Sequence, residues 1–108
     1  MATTYKVLGQ VQPSANTLTT LYTVPAASSA VVSTMVLTNL GPTSTTYRIA
    51  IRPGGEALAN KHYVAYDISI PTLDSLSLTL GITLATTDVV SVMSFSGLVS
   101  FNIFGSEF

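Results

Sequence analysis

The chain has 108 residues, with four Lys or Arg, five Asp or Glu, one His and no Cys, giving a formal net charge of −1 at pH 7. Without cysteine there are no disulfides, thiolate metal sites or thiol nucleophiles, and four basic residues are too few to capture nucleic acid by displacing counterions. Apolar residues make up 47% of the sequence, but they are interleaved with Ser and Thr, so no run approaches the ~20 residues of a membrane-spanning helix.

One domain is expected over residues 1–108, since a chain of this length has room for a single core. Segments 5–12, 18–24 and 30–39 are rich in Val, Ile, Tyr, Phe or Thr and predict strands. Breaks at Pro13 to Asn16, at Pro25 and at Gly41-Pro42 separate them, because Pro fixes φ and Gly supplies positive φ. In segment 46–52 the side chains of Tyr47, Ile49 and Ile51 alternate with Arg48 and Arg52, the pattern of a half-buried strand. After the Pro53-Gly54-Gly55 break, residues 55–61 depart from alternation and carry helix formers, which predicts a short helical segment of about two turns. Segment 63–70 predicts a further strand. Leu76, Leu78 and Leu80 then alternate with Ser75, Ser77 and Thr79. Residues 89–95 follow, and Val99, Phe101 and Ile103 alternate with Ser100, Asn102 and Phe104 beyond the Ser96-Gly97 turn. About eight short strands at regular spacing predict an all-β fold: a single antiparallel β-sandwich, jelly-roll or immunoglobulin-like.

His62 is the only residue through which imidazole chemistry could run. In a regular strand it shares a face with Val64 and Tyr66, while Asp67 lies opposite with Tyr63, so no His–Asp dyad is expected and His62 reads as a packed, hydrogen-bonded structural residue. Glu56, Asp67, Asp74 and Asp88 match no calcium-loop spacing, and Asp74 and Asp88 are placed to bind turn amides. There is no G-x-S-x-G elbow. Catalytic, cofactor-binding and metal residues are therefore all expected to be none. Tyr5, Tyr22, Tyr47, Tyr63 and Tyr66 read as core and interface packing, with a sugar-stacking platform as the alternative.

No charged side chain occurs between Lys6 and Arg48, and charged residues are only 8% of the total, against about a quarter in an average domain. Such a surface suits burial against other protein copies. It also lacks the Lys residues that solitary β proteins use to block edge-to-edge pairing. The interface candidates are Tyr5, Val7 and Leu8 near one end of the chain and Phe104 and Phe108 near the other, where apolar side chains are expected to dock onto a neighbour. A homo-oligomer is expected, with neither a membrane nor nucleic acid as partner.

The stretches Leu21-Tyr22-Thr23-Val24-Pro25-Ala26, Tyr47-Arg48-Ile49-Ala50-Ile51-Arg52-Pro53-Gly54-Gly55 and Ala57-Leu58-Ala59-Asn60-Lys61-His62-Tyr63-Val64-Ala65-Tyr66-Asp67 resemble a family of small structural proteins of tailed phages, frequent in cyanophages and other aquatic phages. The likeness extends to Leu80-Gly81-Ile82-Thr83-Leu84-Ala85-Thr86-Thr87-Asp88-Val89-Val90-Ser91-Val92 and to Phe104-Gly105-Ser106. It implies a virion component assembled in the host cytoplasm, with other virion proteins, the major capsid protein or tail proteins, as partners. A capsid decoration or cement subunit is the leading expectation. The alternatives are a tail, baseplate or fibre subunit and a carbohydrate-binding adhesion module. No catalytic signature comes with the resemblance.

Overall fold

Alternation gives most strands one apolar face, and two sheets laid face to face bury those faces together. The computed structural model describes residues 3–108, apart from the side chain of Leu80. In chain order the strands are β1 (Thr4–Val11), β2 (Thr19–Thr23), β3 (Ala30–Asn39), β4 (Thr45–Arg52), β5 (Tyr63–Ile70), β6 (Ser75–Leu84), β7 (Val89–Ser94) and β8 (Val99–Glu107). They form two four-stranded sheets, β1-β8-β3-β6 (sheet A) and β2-β7-β4-β5 (sheet B).

The pairing decides between the two expected architectures. First pairs with last (β1 with β8), then β2 with β7, β3 with β6 and β4 with β5, all antiparallel and falling alternately in sheets A and B. This is one long hairpin rolled up on itself, the jelly roll. Among the described residues, only β4 and β5 are consecutive strands paired in the same sheet.

Val32, Met35 and Leu37 of β3 with Phe101 and Ile103 of β8 meet Tyr47 and Ile49 of β4 and Val90 and Val92 of β7 in the core. The rings of Tyr47 and Phe101 pack edge to face across the sheets, 6.4 Å apart at 74°. On the rim, Asn39 is fully buried and locks three segments: its Nδ2 donates to the carbonyls of Thr43, Ile70 and Pro71, and its Oδ1 accepts from the Gly41 amide.

Segment 55–61 is not the two-turn helix its composition suggests. Single 3-10 turns stand at Pro53–Gly55 and Asn60–His62, with residues 56–59 irregular between them. Gly54 and Gly55 take φ of 63° and 74°, and Ala59 is extended at φ −139°, so a continuous helix cannot pass. The strand signal of residues 75–80 continues to Leu84, and that of 99–104 to Glu107. Gly81 and Gly105 are carried within these strands.

Candidate functional site

The four strands of sheet A contain only two charged side chains, Lys6 and Glu107, and these are bound to each other. Lys6 Nζ lies 2.9 Å from Glu107 Oε1, while the Tyr22 hydroxyl, reaching across from sheet B, donates to Glu107 Oε2 at 2.5 Å. The hydrogen bond from Tyr22, and then that from Lys6, holds the Glu107 carboxyl below its usual range. Burial, reinforced by Glu107, pushes the Tyr22 phenol up. Both charges are thus paired in a clasp between the sheets, and the only charged side chain of sheet A with substantial exposure is Lys6, at the edge of the trough described below. The outer surface of sheet A presents Ser, Thr, Gln10 and Asn102, the last two hydrogen-bonded at 2.7 Å, together with apolar side chains.

Two irregularities bend this surface. Pairing with β8 slips between Val7 and Gly9 on β1 and between Val32 and Thr34 on β3, both beside Phe104. A bulge bends its strand and increases its twist. At this bend lies an open trough of about 410 Å³, lined by Tyr5, Lys6, Val31, Ser33 and Phe104 among others. β8 and β3 approach each other so closely here that a Cβ on Gly105 would strike the Val31 carbonyl oxygen, which explains a glycine at that position.

The structure sorts the five interface candidates. Tyr5 is 83% exposed, Val7 is exposed, and Phe104, the register partner of Val7, is half-buried, so these three form one patch on sheet A. Leu8 does not join them, because it follows outward-facing Val7 and strand alternation turns its side chain inward to the core cluster. Phe108 has an exposed side chain, and its backbone, just beyond β8, exchanges two hydrogen bonds with Ser29, of 2.7 and 2.9 Å, so the residue is held against the start of β3.

Sheet B carries the opposite chemistry. Its edge strand β5 slips twice against β4, once opposite Arg48 and once opposite the step from Ile49 to Ala50. Asp67 takes φ 53° at the first slip, and the regular-strand expectation that it faces away from Tyr66 fails for that reason. Both side chains reach Arg48. Asp67 accepts from Arg48 Nε at 2.6 Å and from Nη2 at 3.2 Å, and the guanidinium carbon sits 4.0 Å from the Tyr66 ring centre. Tyr63 meets Tyr66 edge to face at 4.8 Å, and the Phe95 ring lies 5.4 Å from the same guanidinium. Alternation identified Arg48 as outward-facing, but this cluster depends on a bulge built without glycine, which leaves little trace in sequence.

The remaining polar residues have structural duties. His62 is buried, its Nδ1 accepts from the Ala59 amide at 3.0 Å, and its Nε2 is 3.2 Å from Glu56 Oε1. Asp88 accepts from the Gly54 and Ala85 amides and Asp74 from the Ser75 amide, as their turn positions suggested. Tyr22 and Tyr47 are buried, so of the five tyrosines only Tyr63 and Tyr66 share a surface. Among the described residues there is no group of three or more His, Asp or Glu suited to a metal ion, and no helix long and apolar enough to cross a membrane. No family model matches the chain, and no curated protein matches it in sequence.

Proposed function

We propose that this chain is a non-enzymatic structural subunit of a tailed-phage virion, and that it decorates and cements the head shell through the outer face of sheet A. The observation that carries this reading is the segregation of charge: sheet A uses both of its ions internally and offers neighbours a surface of hydroxyls, carboxamides and apolar side chains. Water solvates such a surface less well than a charged one, and covering it desolvates no unpaired ion, since Lys6 is already bound to Glu107. Four strands spaced ~4.8 Å apart, each rising ~3.3 Å per residue, give a face of roughly 500 Å² in projection. This is a large part of the ~800 Å² per partner of a stable interface. The edges supply more. β6 runs ten residues with neither charge nor proline, so its free backbone groups can take a strand from an adjoining subunit.

The resemblance to small phage structural proteins supplies the particle, and the engagement of both His62 nitrogens in local hydrogen bonds favours a role without catalysis. Electron cryomicroscopy of purified particles carrying a labelled copy tests the reading. The expected map places the domain on the head shell with sheet A against its neighbours. Density confined to the tail would transfer the role to a tail, baseplate or fibre subunit. A particle lacking the chain would refute the virion assignment.

A further inference from the structure

We propose that the hollow formed by Asn60, Tyr63 and Tyr66 on sheet B binds a neutral hexopyranose unit of a glycan, with Tyr66 as the stacking platform. The hollow has a volume of about 360 Å³, at the small end of the ~300–1,000 Å³ typical of small-molecule sites, enough for one sugar ring. A pyranose has an apolar face of C–H groups rimmed by hydroxyls. It therefore needs a flat, fixed, partly exposed ring and nearby groups that both donate and accept.

The cluster provides these. Tyr66 is 53% exposed and packs against the Arg48 guanidinium on one face and perpendicular to the Tyr63 ring, so little side-chain freedom remains to be lost on binding. The Asn60 carboxamide has no hydrogen-bond partner among the described residues and can offer both a donor and an acceptor. Neutrality of the ligand follows from the charges. Arg48 gives two of its donors to Asp67, Lys61 lies 3.7 Å from Glu56, and Arg52 donates to Ser91 and to the Glu56 carbonyl. A phosphate or carboxylate ligand would require a cation not already committed. A cationic ligand stacked on the free face of Tyr66 would lie across the ring from the Arg48 guanidinium, a like charge 4.0 Å from the ring centre.

The site lies on the sheet opposite the proposed assembly face, so a subunit seated through sheet A leaves it open. The hollow has the same lining whichever particle carries the chain. One such shallow site is weak, on the order of millimolar, but many copies on one scaffold raise avidity by about 10²–10⁴.

The test uses the isolated full chain, multivalently coupled, on an array of immobilised neutral and acidic glycans. Binding is then followed by NMR with the best neutral glycan. The expected result is binding to one or more neutral glycans, with saturable shifts confined to the Asn60 side-chain amide and the Tyr63 and Tyr66 rings. Tyr66→Ala should weaken binding at least about tenfold while its amide spectrum stays native. Tyr66→Phe, which keeps the ring, should stay within about threefold, and Asn60→Ala should fall between. An array without neutral binders, binding to acidic glycans alone, or binding that survives Tyr66→Ala in a folded variant would each overturn the proposal.

Discussion

Replacing Tyr22 with Phe removes one hydroxyl and leaves the ring in the core, which isolates the link between Tyr22 and Glu107 across the sheets. The Glu107 side chain is only 17% exposed, and its two oxygens are held separately by Tyr22 and Lys6. A hydrogen bond to an ionised, largely buried group contributes about 1.5–3 kcal/mol. The Lys6 side chain is 44% exposed, so its ion pair is worth less, at most ~1 kcal/mol. Tyr22→Phe should therefore cost about 2 kcal/mol, on the order of 8 °C in Tm for a domain of this size, and Lys6→Ala clearly less. The sign of the pH dependence follows from Glu107. Its carboxyl is depressed in the folded state, so its contribution is complete above the unfolded carboxylate range near ~4.3 and is lost as pH falls through the lower folded value. Once Glu107 is protonated, only a neutral hydrogen bond worth about 1 kcal/mol remains, and the gap between wild type and Tyr22→Phe should narrow by roughly half. Urea denaturation of both proteins between pH 7 and pH 3 measures this. A variant as stable as wild type at pH 7, or a gap that stays constant into acid, would refute the reasoning.

Asn39→Leu should cost more than about 3 kcal/mol by the same denaturation assay, since it strands the Thr43, Ile70 and Pro71 carbonyls and the Gly41 amide at a fully buried site. Gly105→Ala should destabilise by at least ~2 kcal/mol or prevent folding, because the new methyl meets the Val31 backbone and neither central strand can retreat. Circular dichroism and thermal melts would show it. Tyr5→Lys, at a side chain 83% exposed, should change stability by no more than ~0.5 kcal/mol yet reduce incorporation into particles, as measured by co-sedimentation with them. Unchanged incorporation would count against sheet A as the contact face.

Strand content was legible because alternation is a local signal. Tyr47, Ile49 and Ile51 face inward as their spacing implies, and so do Val99, Phe101 and Ile103. The choice of jelly roll was not legible, since it rests on pairings such as Thr4 with Glu107 that no local pattern encodes. Bulges were the other blind spot. One extra residue reverses every side chain beyond it, which is why Asp67 ended beside Tyr66, whereas Leu8 lies in the core by the plain alternation that sets it opposite Tyr5 and Val7. The break-up of segment 55–61 into two single turns was not legible, because helix propensity there is overridden by two positive-φ glycines and by a histidine that closes its own turn. For the candidate surfaces, the charge-free stretch between Lys6 and Arg48 signalled a surface poor in ions, but it runs through strands of both sheets and so did not say which face that would be. It could not say that the ions bordering it, Lys6 and Arg48, would be neutralised by Glu107 and Asp67.

The two sheets differ in what they show to solvent, and function is proposed to follow from that difference: sheet A lies against protein, and sheet B is left in water with its aromatic cluster exposed. Hydroxyl-radical footprinting read by mass spectrometry, comparing assembled particles with the isolated chain, tests the division directly. Tyr5 and Phe104 should become strongly protected on assembly while Tyr66 and Phe95 keep their free-state reactivity. Equal reactivity of Tyr5 and Phe104 in both states, or protection found on sheet B instead, would contradict it.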